Sequence, residues 1–274
     1  MNVKKILLAI LIFLPGFATA AGGETPIPLD DMEPNLEDQA SLQRGAKTYL
    51  NYCMGCHSLK YQRYQRTAGD LGIPADLMME HMVFEPSAQI GSLMENTMSV
   101  DNAKQWFGSI PPDLTLYTML KGGPEYLYTY MRVFYEDETR PMGVNNLLYE
   151  NVAMPHPLVE LQGLQRKVCK KIPRLADNGG EMRDRLTGDP VMEEQCGNDL
   201  IQRGFSPLEL LEGTGSLTPE EYDQLIYDLS NFLYYTADPS RLERERIGIY
   251  VLLFLAFFFV FTWLLGREYT KDQH

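Results

Sequence analysis

The pentad Cys53-Met54-Gly55-Cys56-His57 constrains this chain more than any other feature. Two thiols three positions apart, with an imidazole beside the second, have few chemical uses. A structural zinc site wants a second ligand pair at similar close spacing, and the other two cysteines, Cys169 and Cys196, are too far apart to supply one. A redox-active C-x-x-C opens a helix in a βαβ setting, and no stretch here alternates strands with helices in that way. Covalent attachment of a c-type haem remains. Cys53 and Cys56 then form thioethers with the porphyrin vinyl groups, and His57 becomes the proximal iron ligand. One covalently bound haem c is expected.

Such attachment belongs outside the cytoplasm, and the N-terminus is consistent with export. Lys4 and Lys5 precede an apolar run, residues 6–17, which leads to Ala18-Thr19-Ala20, the layout of a secretory signal peptide. Cleavage is expected after Ala20. The alternative, a retained first transmembrane helix, fits less well because the run is short and holds Pro15 and Gly16. Loss of Lys4 and Lys5 takes the formal net charge from −13 to −15, which excludes an ordinary nucleic-acid surface. The acidic runs Asp30-Asp31, Glu136-Asp137-Glu138 and Glu193-Glu194 read equally as solvated faces or as a field steering a basic partner.

Residues 247–265 are apolar throughout, and as a helix they extend about 28 Å, close to the hydrocarbon thickness of a bilayer. Arginines and lysine flank both ends, so charge asymmetry does not orient the span. An exported body would leave residues 266–274 as a cytoplasmic tail. The expected layout is a signal segment 1–20, a periplasmic haem domain 21–240, and a membrane anchor with tail 241–274. The setting is the bacterial inner membrane, crossed once. In an oxidising compartment Cys169 and Cys196 are expected to close a disulfide, with two buried free thiols as the alternative.

The second iron ligand separates an electron carrier from a gas or peroxide site. His81, His156 and several methionines are candidates. A thioether stabilises ferrous iron and raises the potential, but methionine is more often core filler. Met154 lies in Asn151-Val152-Ala153-Met154-Pro155-His156-Pro157, where prolines stiffen the loop. Met142 in Arg140-Pro141-Met142-Gly143 is its rival, and His156 follows.

Two helices are expected to frame the haem. Leu42, Ala46, Tyr49 and Cys53 share one face of the first, where Gly45 permits close approach of another helix. In the second, Thr218 is the N-cap, Pro219 the first helical residue and Glu221 the partner in a capping box. An apolar stripe, Tyr222, Leu225, Ile226, Leu229, Phe232 and Leu233, follows, and the helix ends at Ala237-Asp238-Pro239. The expected fold is mainly α, a class I cytochrome c-like haem domain with long loops and one C-terminal transmembrane helix.

In their order along the chain, several segments resemble the cytochrome c1 family, the haem-bearing subunits of quinol–cytochrome c oxidoreductase (cytochrome bc1) complexes, and the proteobacterial members most. They are Cys53-Met54-Gly55-Cys56-His57-Ser58-Leu59 with Tyr61-Gln62-Arg63-Tyr64, Pro111-Pro112-Asp113-Leu114-Thr115, Glu125-Tyr126-Leu127-Tyr128-Thr129-Tyr130, and Met142-Gly143-Val144 leading to Val152-Ala153-Met154-Pro155. Residues 160–215 are poorly constrained by the resemblance and read as a surface elaboration.

The resemblance implies Met154 as the distal ligand. It places Pro111-Pro112 beside the proximal histidine, where a proline carbonyl can accept the free ring N–H of His57. Tyr126 matches a position near a haem propionate. Lys121 falls where the family often has arginine, keeping the charge but losing the bidentate fork. The implied partners are cytochrome b, the Rieske iron–sulfur protein, an accepting c-type cytochrome and a second copy in a dimeric complex. The implied work is electron transfer, with no catalytic acid or base on this chain. Two other readings stay open: another membrane-anchored monohaem cytochrome serving an oxidase, and a haem-free thiol-redox or zinc module.

Overall fold

The structure, a computed structural model, describes residues 25–176 and 179–271. The expected signal segment lies outside the described residues, as do the last three residues of the tail.

Asp38 starts α1 (Gln39–Thr48), its carboxylate accepting the Ser41 N–H at 3.0 Å. The chain then passes directly into a π-helical turn, Tyr49–Cys53. After the cysteine pentad come β1 (Leu59–Arg63), α2 (Tyr64–Asp70), α3 (Ala75–His81) and β2 (Leu93–Met94), with β2 antiparallel to β1. A run of short helices follows: α4 (Val100–Phe107), α5 (Tyr117–Leu120) and α6 (Gly123–Arg132). Next is the hairpin of β3 (Phe134–Glu136) and β4 (Val144–Asn146), in which Phe134 faces Asn146 and Glu136 faces Val144. After α7 (Val159–Gln162) the chain builds two more antiparallel pairs from β5 (Gln165–Lys167), β6 (Cys169–Pro173) and β7 (Met192–Cys196). These are followed by α8 (Asn198–Gln202) and β8 (Leu208–Leu210), β5 pairing with β8 and β6 with β7. The long helices α9 (Pro219–Ala237) and α10 (Arg241–Tyr269) complete the described chain.

The main packing is between α1 and α9. Leu42, Ala46 and Tyr49 are buried on one side, and Ile226, Leu229 and Phe232 on the other. The Tyr49 and Phe232 rings lie 5.9 Å apart. Full burial of each large apolar side chain stabilises by about 1.5–3 kcal/mol. Gly45 stands at the crossing, where a Cβ would collide with the backbone oxygen of Asp228 and the Cβ of Phe232. Beside it, Arg44 Nε lies 2.6 Å from Asp228 Oδ2 and its Nη2 2.9 Å from Oδ1, so the carboxylate buried in α9 is paired through a fork. The start of α9 carries the full capping box: the Glu221 N–H donates to Thr218 Oγ1 at 3.2 Å, and the Thr218 N–H donates to Glu221 Oε2 at 2.9 Å.

Pro239 separates α9 from α10 because proline cannot extend the hydrogen-bonded ladder. The helix α10 is 29 residues long and no residue in it is buried. It is the one helix among the described residues long and apolar enough to cross a membrane. It begins earlier than residue 247 because its first turns are helical but charged, with Arg241 Nε 3.0 Å from Glu245 Oε1. Arg244 Nη2 reaches back 2.6 Å to Asp238 Oδ2 at the end of α9.

The segment expected as a surface elaboration is not loop throughout. Cys169 and Cys196 face one another across the β6–β7 pair, with Cα atoms 4.3 Å apart, and are joined by a disulfide. The apolar alternation that would have announced these strands is weak, since Ile172 is the one buried residue in the pair and most of the others are polar.

Candidate haem site

The widened turn at Tyr49–Cys53 sets the site in place. The Met54 N–H bonds to Tyr49 O at 2.9 Å, and the next bonds close more tightly, with the His57 N–H on Cys53 O at 2.8 Å. The chain thus reverses immediately after the helix and brings Cys53, Cys56 and His57 to one wall of a cavity of about 490 Å³. That volume is in the range of small-molecule and cofactor sites, roughly 300–1,000 Å³. Tyr49, fully buried, fixes the turn by donating its hydroxyl to His57 O at 2.6 Å. The apolar periodicity of α1 marked Tyr49 as core, but not its hydroxyl as a brace for the histidine.

His57 Nδ1 lies 2.7 Å from Pro112 O. Of the two prolines, then, Pro112 accepts the ring N–H, and Nε2 carries no hydrogen bond among the described residues. Burial holds the His57 pKa below its ordinary value, against opposing contributions from the Pro112 carbonyl and Asp113, so the ring is neutral and able to offer a lone pair. Asp113 ties this segment to the anchor: Oδ2 accepts the Lys60 N–H at 2.8 Å and Oδ1 accepts the Thr115 N–H at 3.0 Å.

Burial, together with Cys56, pushes the Cys53 thiol up to about 12, and burial raises Cys56. Reactive thiols need the opposite shift. Among the described residues no three His, Cys, Asp or Glu side chains converge as a metal cluster. A buried Cys53, a half-buried Cys56, an imidazole with one free nitrogen and an apolar chamber fit a covalently held haem better than thiol exchange or zinc.

Pro111, Lys121, Tyr126 and Met154 line the same cavity. Tyr126 stacks on Tyr130 with ring centroids 6.2 Å apart, and burial raises its pKa. Lys121 is exposed at the end of α5 and its ammonium has no ion-pair partner among the described residues. The paired positive-φ glycines Gly122 and Gly123, at 74° and 83°, turn the chain there into α6. The Tyr130 hydroxyl points at Met154 Sδ, 3.7 Å away.

The rival ligands lie elsewhere. Met142 packs against the core and does not line the cavity. His81 ends α3 with its side chain 63% exposed. His156 is turned away into protein: its Nε2 is 2.7 Å from Gln162 Oε1 and its ring stacks on Phe134 at 4.7 Å. Burial lowers the His156 pKa to about 4. Because the unfolded chain binds the proton near pH 6.5, acidification favours unfolding from about pH 6.5 down to about 4. The full effect is on the order of 3 kcal/mol. His156→Gln is expected to flatten this part of a stability-versus-pH curve, and an unchanged slope would refute the assignment.

The Cytochrome C1 family model matches residues 35–166 and 214–273, on either side of the disulfide-stapled segment. The chain is 44% identical over 271 residues to a cytochrome c1 of Allochromatium vinosum, covering 99% of each chain. It is 35% identical over 274 residues to a protein of Nitrosomonas europaea named ammonia monooxygenase gamma subunit, covering 100% of each. A cytochrome c1 of Rhodobacter capsulatus is 23% identical over 302 residues, covering 97% of this chain and 96% of its own. With the anchor, the chamber and the membrane helix in this order, the chain belongs to the cytochrome C1 family, whose members carry one covalently bound haem c.

Proposed function

We propose that this chain, as a haem-bearing electron-transfer subunit of a cytochrome bc1 complex, accepts electrons from the Rieske iron–sulfur protein and delivers them to a c-type cytochrome. The observation that carries this reading is the meeting of Cys53, Cys56, His57 and Met154 on one largely apolar cavity. Cys53 and Cys56 are the attachment points, His57 the proximal ligand and Met154 the distal ligand. When bound, the haem supplies a one-electron centre whose potential a thioether ligand raises. The Pro112 carbonyl orients the His57 ring, the Tyr130 hydroxyl holds the Met154 sulfur, and the apolar walls exclude water. Lys121 and Tyr126 are proposed to meet the propionates.

The cavity reaches the surface at an apolar rim, where Tyr52, Ile110 and Tyr149 both line it and stay exposed. An electron-transfer partner approaching there comes near the site without entering it. The net charge, −13 for the full chain and −15 without Lys4 and Lys5, favours a basic acceptor through long-range steering. The Cys169–Cys196 disulfide supports an exported, periplasmic domain. In that arrangement the signal segment is removed, α10 crosses the membrane once, beside cytochrome b in a dimeric complex, and the last residues lie in the cytoplasm.

Purification of the native complex from membranes tests the proposal. The expected result is one haem per chain that resists acid acetone, a sharp α-band on reduction, and copurification with cytochrome b and the iron–sulfur protein. Extractable haem would refute the attachment. Recovery without those partners would favour another membrane-anchored cytochrome, and recovery with ammonia-oxidising subunits would favour the role in the Nitrosomonas relative's name.

A further inference from the structure

Asn151 is the one non-glycine residue at positive φ, 62°, among the described residues. It opens the segment 151–155, which lines the cavity and carries Met154. The left-handed conformation is disfavoured for most side chains and tolerated by asparagine, and something outside the loop selects it here.

That something is a polar network rooted in the β3–β4 hairpin. Arg140, in the hairpin loop, donates from Nη1 to Asn151 Oδ1 at 3.0 Å and from Nη2 to Asn151 O at 2.9 Å. One guanidinium thus holds both the side chain and the main chain of the same residue, while its own Nε is buried without a partner. The Asn151 N–H donates at 2.9 Å to Asn145 Oδ1. Asn145 is itself fixed, because its Oδ1 also accepts the Asn146 N–H at 2.9 Å and its Nδ2 donates to Asp137 Oδ2 at 2.9 Å. It is 5% exposed. Asn146 ties the same hairpin to the wall bearing Tyr130, donating from Nδ2 to Tyr130 O at 2.8 Å.

Both backbone groups of Asn151 and its side-chain oxygen are therefore engaged, three residues before Met154. A thioether bond to iron is weak and depends on how the loop presents it, so the network has a direct route to ligand geometry. We propose that Arg140, Asn145 and Asn151 are positioning residues that set the placement of Met154 and, through it, the haem potential. This rests on the reading of Met154 as the distal ligand.

The test uses the full-length chain in its membrane complex, with Arg140→Gln, Asn145→Ala, Asn151→Gly and Met154→Leu compared by redox titration and by carbon monoxide binding to the reduced haem. Arg140→Gln and Asn145→Ala are expected to lower the midpoint potential and to open a carbon monoxide-reactive fraction, with covalent haem content unchanged. Asn151→Gly accepts the same φ and keeps its N–H, so its shift is expected to be the smallest. Arg140 lies partly in solvent, which makes Arg140→Gln readable even where Asn145→Ala fails to assemble. A wild-type potential and no carbon monoxide reactivity in Arg140→Gln, with a clear shift in Met154→Leu, would overturn the positioning role alone. No change in Met154→Leu would overturn the ligand reading and the positioning role together.

Discussion

Met154→Leu is expected to keep its covalent haem and α-band while losing the sixth ligand, with a fall in midpoint potential of roughly a few tenths of a volt. Axial ligand identity spreads haem potentials over about 0.8 V, and a thioether lies toward the high end. Leucine has nearly the volume of methionine, so the cavity wall is preserved and the change reports ligation rather than packing. Met154→His is expected to lower the potential as well, while staying six-coordinate. The Tyr130 hydroxyl, 3.7 Å from Met154 Sδ, loses its acceptor in both variants. If neither substitution moves the potential, Met154 is not the ligand, and the role has to be sought in Met142 or His156, which in this fold would need to move to reach the cavity.

The second large effect concerns the crossing of α1 and α9. In an exposed helix interior Gly→Ala stabilises by about 1 kcal/mol. At Gly45 the sign is expected to reverse, because the new Cβ meets the backbone oxygen of Asp228 and the Cβ of Phe232 rather than the end of a flexible side chain. Gly45→Ala is expected to cost about 1–3 kcal/mol, and Gly45→Leu more, since overpacking forces the helices apart. Separation would also loosen the Arg44–Asp228 fork and leave a carboxylate 2% exposed without its full pairing. Thermal unfolding of the haem-loaded chain checks this. A melting temperature for Gly45→Ala at or above that of the parent would show that the crossing is looser than the structure has it.

Glycine at a helix crossing was legible because its neighbours Leu42, Ala46 and Tyr49 share one face of a period of 3.6. The capping box at Thr218 and Glu221 was legible for the same reason, all its parts lying within four residues. Other features left no comparable trace. The π-helical turn Tyr49–Cys53 obeys the apolar stripe of an ordinary helix, so nothing in the pattern distinguishes it until the bond from Met54 to Tyr49 is seen. The strands β6 and β7 bury only Ile172 and are mostly polar in sequence, so burial leaves no apolar alternation to read. The network of Arg140, Asn145 and Asn151 consists of residues that in sequence suggest only turns.

By itself the sequence determined the grouping of Cys53, Cys56 and His57, the long apolar helix and the two main helices, because each rests on residues adjacent or one helical turn apart. Pro112 rather than Pro111 as partner of His57, the presence of Met154 on the cavity and the absence of Met142, His156 and His81 from it were decided only by tertiary structure. Those choices join groups 55 or more residues apart, as the His57–Pro112 bond shows. Local propensity carries no information about such pairs; they follow from how α1, α6, α9 and the β3–β4 hairpin pack around a common chamber.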